Sequence, residues 1–403
     1  MSQAFSGLRI IDFTQVLAGP FATQQLALLG AQVIKIELPG QGDMTRALSV
    51  GGNTAGDAAP GMTASFMTCN LGKRSITINL KAPESGDIIK RLVRGADAVV
   101  ENFKPGTMEK LGCSFEALRA VKPDLVYCSI SGYGQSGPKS ALPAFDGAIQ
   151  ASSGMMSISG HASSGPTRTG FFAVDMSTAL HAAFALSAAL YRKLATGEGQ
   201  RLDVSMLDTA LMMQAPQVSS TALTGRTPSL NGNASPTREP TANVFETADG
   251  FLQISAIKAH QIQSLMVAIG RDDLTTDARF TTTKLRLEHS DALQTILVDR
   301  LSQRSTGHWL TLLGKASIPC APIQGIDQVL EDPQLNERAL LVELPHPKHE
   351  GKTRVVGPGH DAGVDGPAVT GPPPTLGQHT EEVLLELGYT AAEVTAFREQ
   401  GVV

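Results

Sequence analysis

The stretch from Leu8 to Glu37 constrains the fold more than any other. LRIIDF is rich in β-branched residues, Ala18-Gly19-Pro20 reads as a turn, FATQQLALLG is helical and stops on Gly30, and AQVIKIE is extended again. Strand, turn, helix, strand over so short a span is a βαβ unit, whose strands can pair only in parallel and with a right-handed crossover. The alternation continues with SITINL as a strand, Glu84 to Gly95 as a helix, and ADAVVENF and DLVYCSISG as further strands. The predicted fold is therefore α/β, with a Rossmann-like larger domain around a mostly parallel, doubly wound sheet.

At 403 residues the chain is too long for one ordinary core. Texture places the divisions. Met176 to Ala195 reads as a long Ala/Leu helix, apolar nearly all round and so buried, and Ser205 to Met213 as another apolar helix. From Ser219 to Thr241 the composition turns to Ser, Thr, Gly, Pro and Asn, which suits a linker. NVFETADGFLQISA then opens a smaller α+β unit that runs through helices near Lys258 to Gly270 and Ser290 to Arg304. The expected organisation is a larger domain at 1–218, a linker at 219–241, a smaller domain at 242–332, and a return linker with a C-terminal segment, 333–403, packing on the larger domain. One last amphipathic helix is expected near Thr380 to Leu387, and no internal repeat is visible.

Composition removes several function classes. A net charge of −5 and 18% charged residues leave no basic excess for a nucleic-acid partner. No basic stretch with an apolar core opens the chain, and no apolar run reaches the roughly 20 residues of a membrane span. A cytoplasmic protein without a membrane partner is expected. Cys69, Cys113, Cys128 and Cys320 lie far apart with no metal-ligand spacing, so neither a metal site nor a disulfide framework is predicted. Gly132 to Gly137 matches GxGxxG, but Pro138 and Pro143 follow where a helix should open, and no acidic residue closes a second strand. Dinucleotide binding is set aside.

One carboxylate stands out. Asp175 follows the apolar run Phe171-Phe172-Ala173-Val174 and directly precedes the Ala/Leu helix, in a partly dry place where a helix N-terminus would favour the ionised form. An aspartate there can also be a plain N-cap. Eight segments then occur in order: DFTQVLAGP, KIELPGQGDMTR, NLGKRSITINLK, VENFKPGTMEKLG, SGYGQSGP, PAFDGAIQASSG, TGEGQRLDVSMLD and PPPTLGQHTEEVL. Together they resemble the family III CoA-transferases over essentially the whole chain.

The resemblance implies that Asp175 is the nucleophile of a CoA-transferase, attacking an acyl-CoA to give a mixed anhydride and then an aspartyl-CoA thioester. CoA thioesters would be substrates, with no permanently bound cofactor and no metal. By the same similarity the CoA slot is built from Val16, Leu17, Ala18, Ile78, Lys81, Asn102, Phe103, Lys104 and Lys110, with Phe145 and Asp146 near the thioester. An interlocked homodimer is implied, each chain threaded through the other. Formyl-CoA transferase, a member of the family, has glutamine at the position of Leu17, arginine at Leu38, lysine at Pro143 and a tetraglycine loop roughly where Gly232-Asn233-Ala234 stands. Those departures point away from formate and oxalate. The tail and the TGEGQ region resemble the branch using succinyl-CoA and other short dicarboxylyl-CoA esters, with Arg168 or Arg238 available for a distal carboxylate.

Two other readings stay open at this point. α-Methylacyl-CoA racemases share the resemblance but carry a histidine where Phe145 stands, and phenylalanine takes no proton. A CoA-binding protein that has lost its chemistry is the third reading, against which the retained Asp175 speaks.

Overall fold

The computed structural model describes residues 3–48, 61–346 and 350–403. Met1 and Ser2, part of the opening stretch read above as no leader, lie outside them. The chain divides into two compact units, one of Met1–Ser153, Thr169–Ser219 and Pro333–Val403, the other of Gly154–Arg168 and Ser220–Asp332.

The first unit is built on the predicted alternation. Strands β1 (Arg9–Asp12), β2 (Gln32–Glu37), β3 (Arg74–Thr77), β4 (Ala98–Glu101) and β5 (Val126–Ser131) share one sheet. After the two-residue strands β6 (Gly160–His161) and β7 (Gly165–Pro166) of the other unit, β8 (Arg201–Ser205) adds a sixth strand. The order is β3-β2-β1-β4-β5-β8, and every pair is parallel. This is the doubly wound order, in which the chain reverses its direction of travel between β1 and β4. Side chains alternate between two cores. Ile10, Val33, Ala98, Val126 and Cys128 face one way, against Ala22 and Leu26 of the helix Ala18–Leu28 and Ala182 and Leu186 of the helix Ala173–Thr196. Ile11, Ile34, Val99 and Tyr127 face the other, against Ile88 and Leu92 of the helix Ser85–Arg94. With helices on both faces, the central strands read as largely apolar runs.

Several boundaries differ from the reading of the sequence. Ala18-Gly19-Pro20 is not a turn but the first turn of its helix, where proline lacks only an N–H that would have no intrahelical acceptor. The Ala/Leu helix begins at Ala173, so Asp175 lies within its first turn and not ahead of it. The start of the expected linker is helical, Ala215–Thr224. The C-terminal segment ends in two helices, Thr380–Glu386 and Ala391–Glu399, where one was expected. It packs at the β3 edge, where the Thr77 N–H donates to Thr380 Oγ1 at 3.0 Å and the Ser75 N–H to His379 Nδ1 at 3.1 Å.

The second unit centres on β9 (Ala242–Thr247), β10 (Gly250–Ser255) and β11 (Cys320–Pro322), an antiparallel sheet in the order β11-β10-β9. Phe245, Leu252, Leu265, Leu297 and Trp309 fill its core. Residues 154–168, placed by the sequence reading in the larger domain, pack here instead, with the Gly232 N–H donating to the Gly160 carbonyl at 2.8 Å. Strands β12 (Leu341–Pro345) and β13 (Lys352–Val356) form a hairpin in the first unit.

Contrary to the reading that no apolar run is long enough to span a membrane, Ala173–Thr196, among the described residues, is long and apolar enough to cross a bilayer. Half of its most apolar window is buried within the protein.

Candidate active site

In a doubly wound sheet, ligands bind beyond the carboxyl ends of the strands at the point where strand order reverses. Here that point lies between β1 and β4, and a cavity of about 150 Å³ opens there. Its wall takes Val16, Leu17 and Ala18 from beyond β1, Asn102 to Pro105 from beyond β4, Ile130 to Gly132 from the end of β5, and Met206 from beyond β8. Phe145 and Asp175 close one side. Residues separated by most of the first unit's length are thus brought together by strand order alone.

Asp175 is partly buried in this wall. Burial, and then the charge of Asp146 beside it, push its carboxyl up to about 7. This corrects the expectation that the helix start would hold it ionised. The N–H groups that could have done so are already taken: Asp146 Oδ2 accepts from the Val174 N–H at 2.8 Å and the Asp175 N–H at 3.0 Å. Asp146 is therefore the cap of the helix Ala173–Thr196, supplied from a different element. Its other oxygen accepts from Gln150 Nε2 at 2.5 Å, and Gln150 is fixed in turn by the Thr169 N–H at 3.0 Å. Asp146 is buried and so engaged, and it does not line the cavity.

The loop from β1 to its helix is held as tightly. Val16 has φ of 69°, a left-handed conformation that a β-branched residue adopts at a cost on the order of 1–3 kcal/mol. Asn102 accepts from the Gln15 N–H at 2.8 Å and donates back to the Gln15 carbonyl at 2.7 Å, which makes it a brace for this loop. Glycine is required at position 132, where a Cβ would collide with the side chain of Ala144 across the cavity wall. Ser131 is buried in that wall, and its hydroxyl has no hydrogen-bond partner.

Of the residues expected around CoA, Val16, Leu17, Ala18, Asn102, Phe103, Lys104 and Phe145 line the cavity. Lys104 is exposed at its rim, and Phe145 keeps 68% of its surface open, a large apolar face at the mouth. Lys81 and Lys110 are exposed and do not line it. The Ile78 side chain is packed in the core beside Ile76, so it cannot present itself to a ligand; a period-2 reading of SITINL puts both isoleucines on one inward face. Ser131, Ala144 and Met206 also line the cavity and were not singled out from the sequence. Among the described residues no cluster of three or more metal-ligating side chains occurs.

The family model of CoA-transferase family III matches residues 5–380. The chain is 36% identical to succinate–glutarate CoA-transferase of Agrobacterium fabrum over 390 residues, covering 95% of each protein. It is 37% identical to acetyl-CoA:oxalate CoA-transferase of Acetobacter aceti over 340 residues, 84% of this chain and 85% of that one. Among solved structures, a CAIB/BAIF family protein from Brucella suis superposes with a TM-score of 0.85 at 31% identity, covering 96% of this chain and 100% of that one. A carboxyl group in an apolar wall at the switch point of a doubly wound sheet, in a chain matched along its length by this family, belongs to an enzyme: the protein is a member of CoA-transferase family III and moves CoA between an acyl-CoA and a carboxylic acid.

Proposed function

We propose that Asp175 is the nucleophile, and the observation that carries this is its place as a partly buried carboxyl in the switch-point cavity. Its carboxylate attacks the thioester carbonyl of an acyl-CoA, forming a C–O bond as the C–S bond breaks, and the products are an acyl-aspartyl anhydride and CoA thiolate. The thiolate then attacks the aspartyl carbonyl and expels the donor acid, leaving an aspartyl-CoA thioester. An incoming carboxylate reverses the two steps and leaves as the new acyl-CoA. Thioester energy is conserved throughout, so neither ATP nor a metal is required.

The first unit holds CoA in this reading. Phe103 and Phe145 offer apolar surface to pantetheine, while Lys104, Lys81 and Lys110 supply local positive charge for the phosphates of a cofactor that the net charge of −5 does not attract. The Ser131 hydroxyl, buried and unpartnered, is free to donate to the substrate carboxylate or the acyl oxygen. We assign succinyl-CoA or another short dicarboxylyl-CoA as donor, a choice supported by the name of the Agrobacterium relative. The protein acts in the cytoplasm in this reading.

A donor and acceptor screen with hydroxylamine trapping tests the proposal. Exchange from succinyl-CoA to five-carbon dicarboxylic acids should exceed exchange to formate or oxalate by at least about tenfold, with the trapped adduct on Asp175. Preference for oxalate would overturn the acceptor class, failure to use succinyl-CoA or another dicarboxylyl-CoA would overturn the donor assignment, and an adduct elsewhere would overturn the mechanism. Deuterium uptake at the α-carbon of a branched acyl-CoA without CoA exchange would make the protein a racemase.

An interlocked homodimer completes the proposal. Leu180, Phe184, Tyr191 and Leu194 stand 55–74% exposed along one helix, and Met212, Met213 and Leu223 follow on the next two. Apolar surface of this extent calls for cover, and a second copy of the chain supplies it. Sedimentation should give twice the chain mass; a stable, active monomer would refute it.

A further inference from the structure

The loop that carries Leu17 and Ala18 to the cavity is held by charge from beneath. Three successive N–H groups are each tied to a side chain: Thr14 to Asp12 Oδ1 at 2.8 Å, Gln15 to Asn102 Oδ1 at 2.8 Å, and Val16 to Asp43 Oδ1 at 3.2 Å. Lys35 Nζ reaches the Thr14 carbonyl at 2.7 Å and pairs with Asp43 Oδ2 at 2.8 Å, with both charged side chains fully enclosed. A second pair, Lys73 with Asp12 at 2.9 Å, closes the base of the loop. Buried ion pairs are weak contributors to stability, since desolvation offsets most of their attraction. Two of them spent on one short loop, at the one β-branched residue among the described residues with a left-handed φ, point to a conformational purpose.

The purpose follows from what comes next in the chain. Leu17 and Ala18 line the cavity at the start of a helix, where backbone N–H groups have no intrahelical acceptor. With the N–H groups of residues 14 to 16 turned to side chains, those of 17 and 18 remain for the substrate. We propose that the buried Lys35–Asp43 pair is a positioning device that clamps Val16 in its left-handed conformation and so aims the Leu17 and Ala18 N–H groups at the oxygen that becomes negative when the thioester is attacked. This rests on Asp175 as the nucleophile, because the oxyanion forms next to it.

The Asp43 variants are decisive, and Val16→Gly is their control. Glycine adopts the left-handed region without cost and keeps the N–H that Asp43 holds, so the clamp still acts and Val16→Gly should stay within about threefold of the parent in kcat, with a melting temperature within about 3 °C. Asp43→Ala should lose about a hundredfold in kcat, and Asp43→Asn, which keeps an acceptor for the Val16 N–H, should recover part of it. Leu17→Ala, which removes a side chain but leaves the N–H, should stay within about fivefold. Full activity in Asp43→Ala would overturn the clamp, as would losses in the Asp43 variants that only track the folded fraction or a Val16→Gly loss as large as that of Asp43→Ala. Hydroxylamine trapping separates the two readings: the parent must give the Asp175 adduct, and Asp43→Ala must give the same adduct more slowly. A parent adduct on another residue refutes the nucleophile, whereas equal trapping rates refute the clamp alone.

Discussion

Asp175→Ala should abolish CoA transfer, lowering kcat by about 10⁴-fold or more, and Asp175→Asn should do the same while leaving the cavity shape intact. Loss of a nucleophile removes every covalent step, whereas loss of a cap or a binding contact leaves a slower enzyme. Stability should move the other way. The carboxyl is raised from its ordinary value of 3.8 to about 7 in the folded protein, so between those two values the native chain binds a proton that the unfolded chain has released. Ionising the group above pH 7 therefore costs folding energy, and the neutral amide avoids that cost. Asp175→Asn should melt a few degrees above the parent at pH 8, with the gap closing as pH falls toward 4. Circular-dichroism melting at several pH values measures it. A variant that is less stable than the parent at pH 8 would remove the burial argument.

Much of this was legible in the residues, and the reason is periodicity. Strands buried on both faces write themselves as apolar runs, so β1, β2, β4 and β5 could be read from LRIIDF, QVIKIE, ADAVVENF and LVYCSI. β8 escaped because RLDVS alternates and is exposed over its first residues, at a sheet edge where only tertiary pairing with Tyr127 to Ser131 makes it a strand. The environment of Asp175 escaped for a similar reason. Its apolar flank was visible, but the carboxylate that caps its helix stands at Asp146, and nothing in either segment shows that a loop returns one to the other. Asn102 and Asp146 were expected among the ligand contacts from the resemblance, and neither segment shows the second task that the structure gives each of them. Both hold backbone. Local patterns reveal elements and their faces; long-range hydrogen bonds, which decide charge states, are invisible until the chain is folded.

Asp146 is where that difference can be measured. Its carboxylate makes two opposed contributions at once: it fixes the first turn that carries Asp175, and it disfavours the ionised nucleophile. In the parent, kcat/KM should rise with pH through about 7 as Asp175 ionises, and should stand about tenfold below its plateau at pH 6. Asp146→Asn removes the neighbouring charge and keeps an oxygen for the Val174 and Asp175 N–H groups. The acidic limb should therefore move to lower pH, while staying above the ordinary carboxylate range because burial is the larger cause. The amide also meets Gln150 Nε2 donor to donor, so a modest fall in melting temperature should accompany the shift. Asp146→Ala removes both contributions. It uncaps the helix at a cost of about 1–2 kcal/mol and lets the first turn fray, so kcat should fall even though the limb moves the same way. A limb that stays in place in Asp146→Asn would mean that the nucleophile does not feel Asp146, and a limb that moves to higher pH would mean that Asp146 had been stabilising the ionised form. The two variants together separate charge from geometry at a carboxylate that performs both functions.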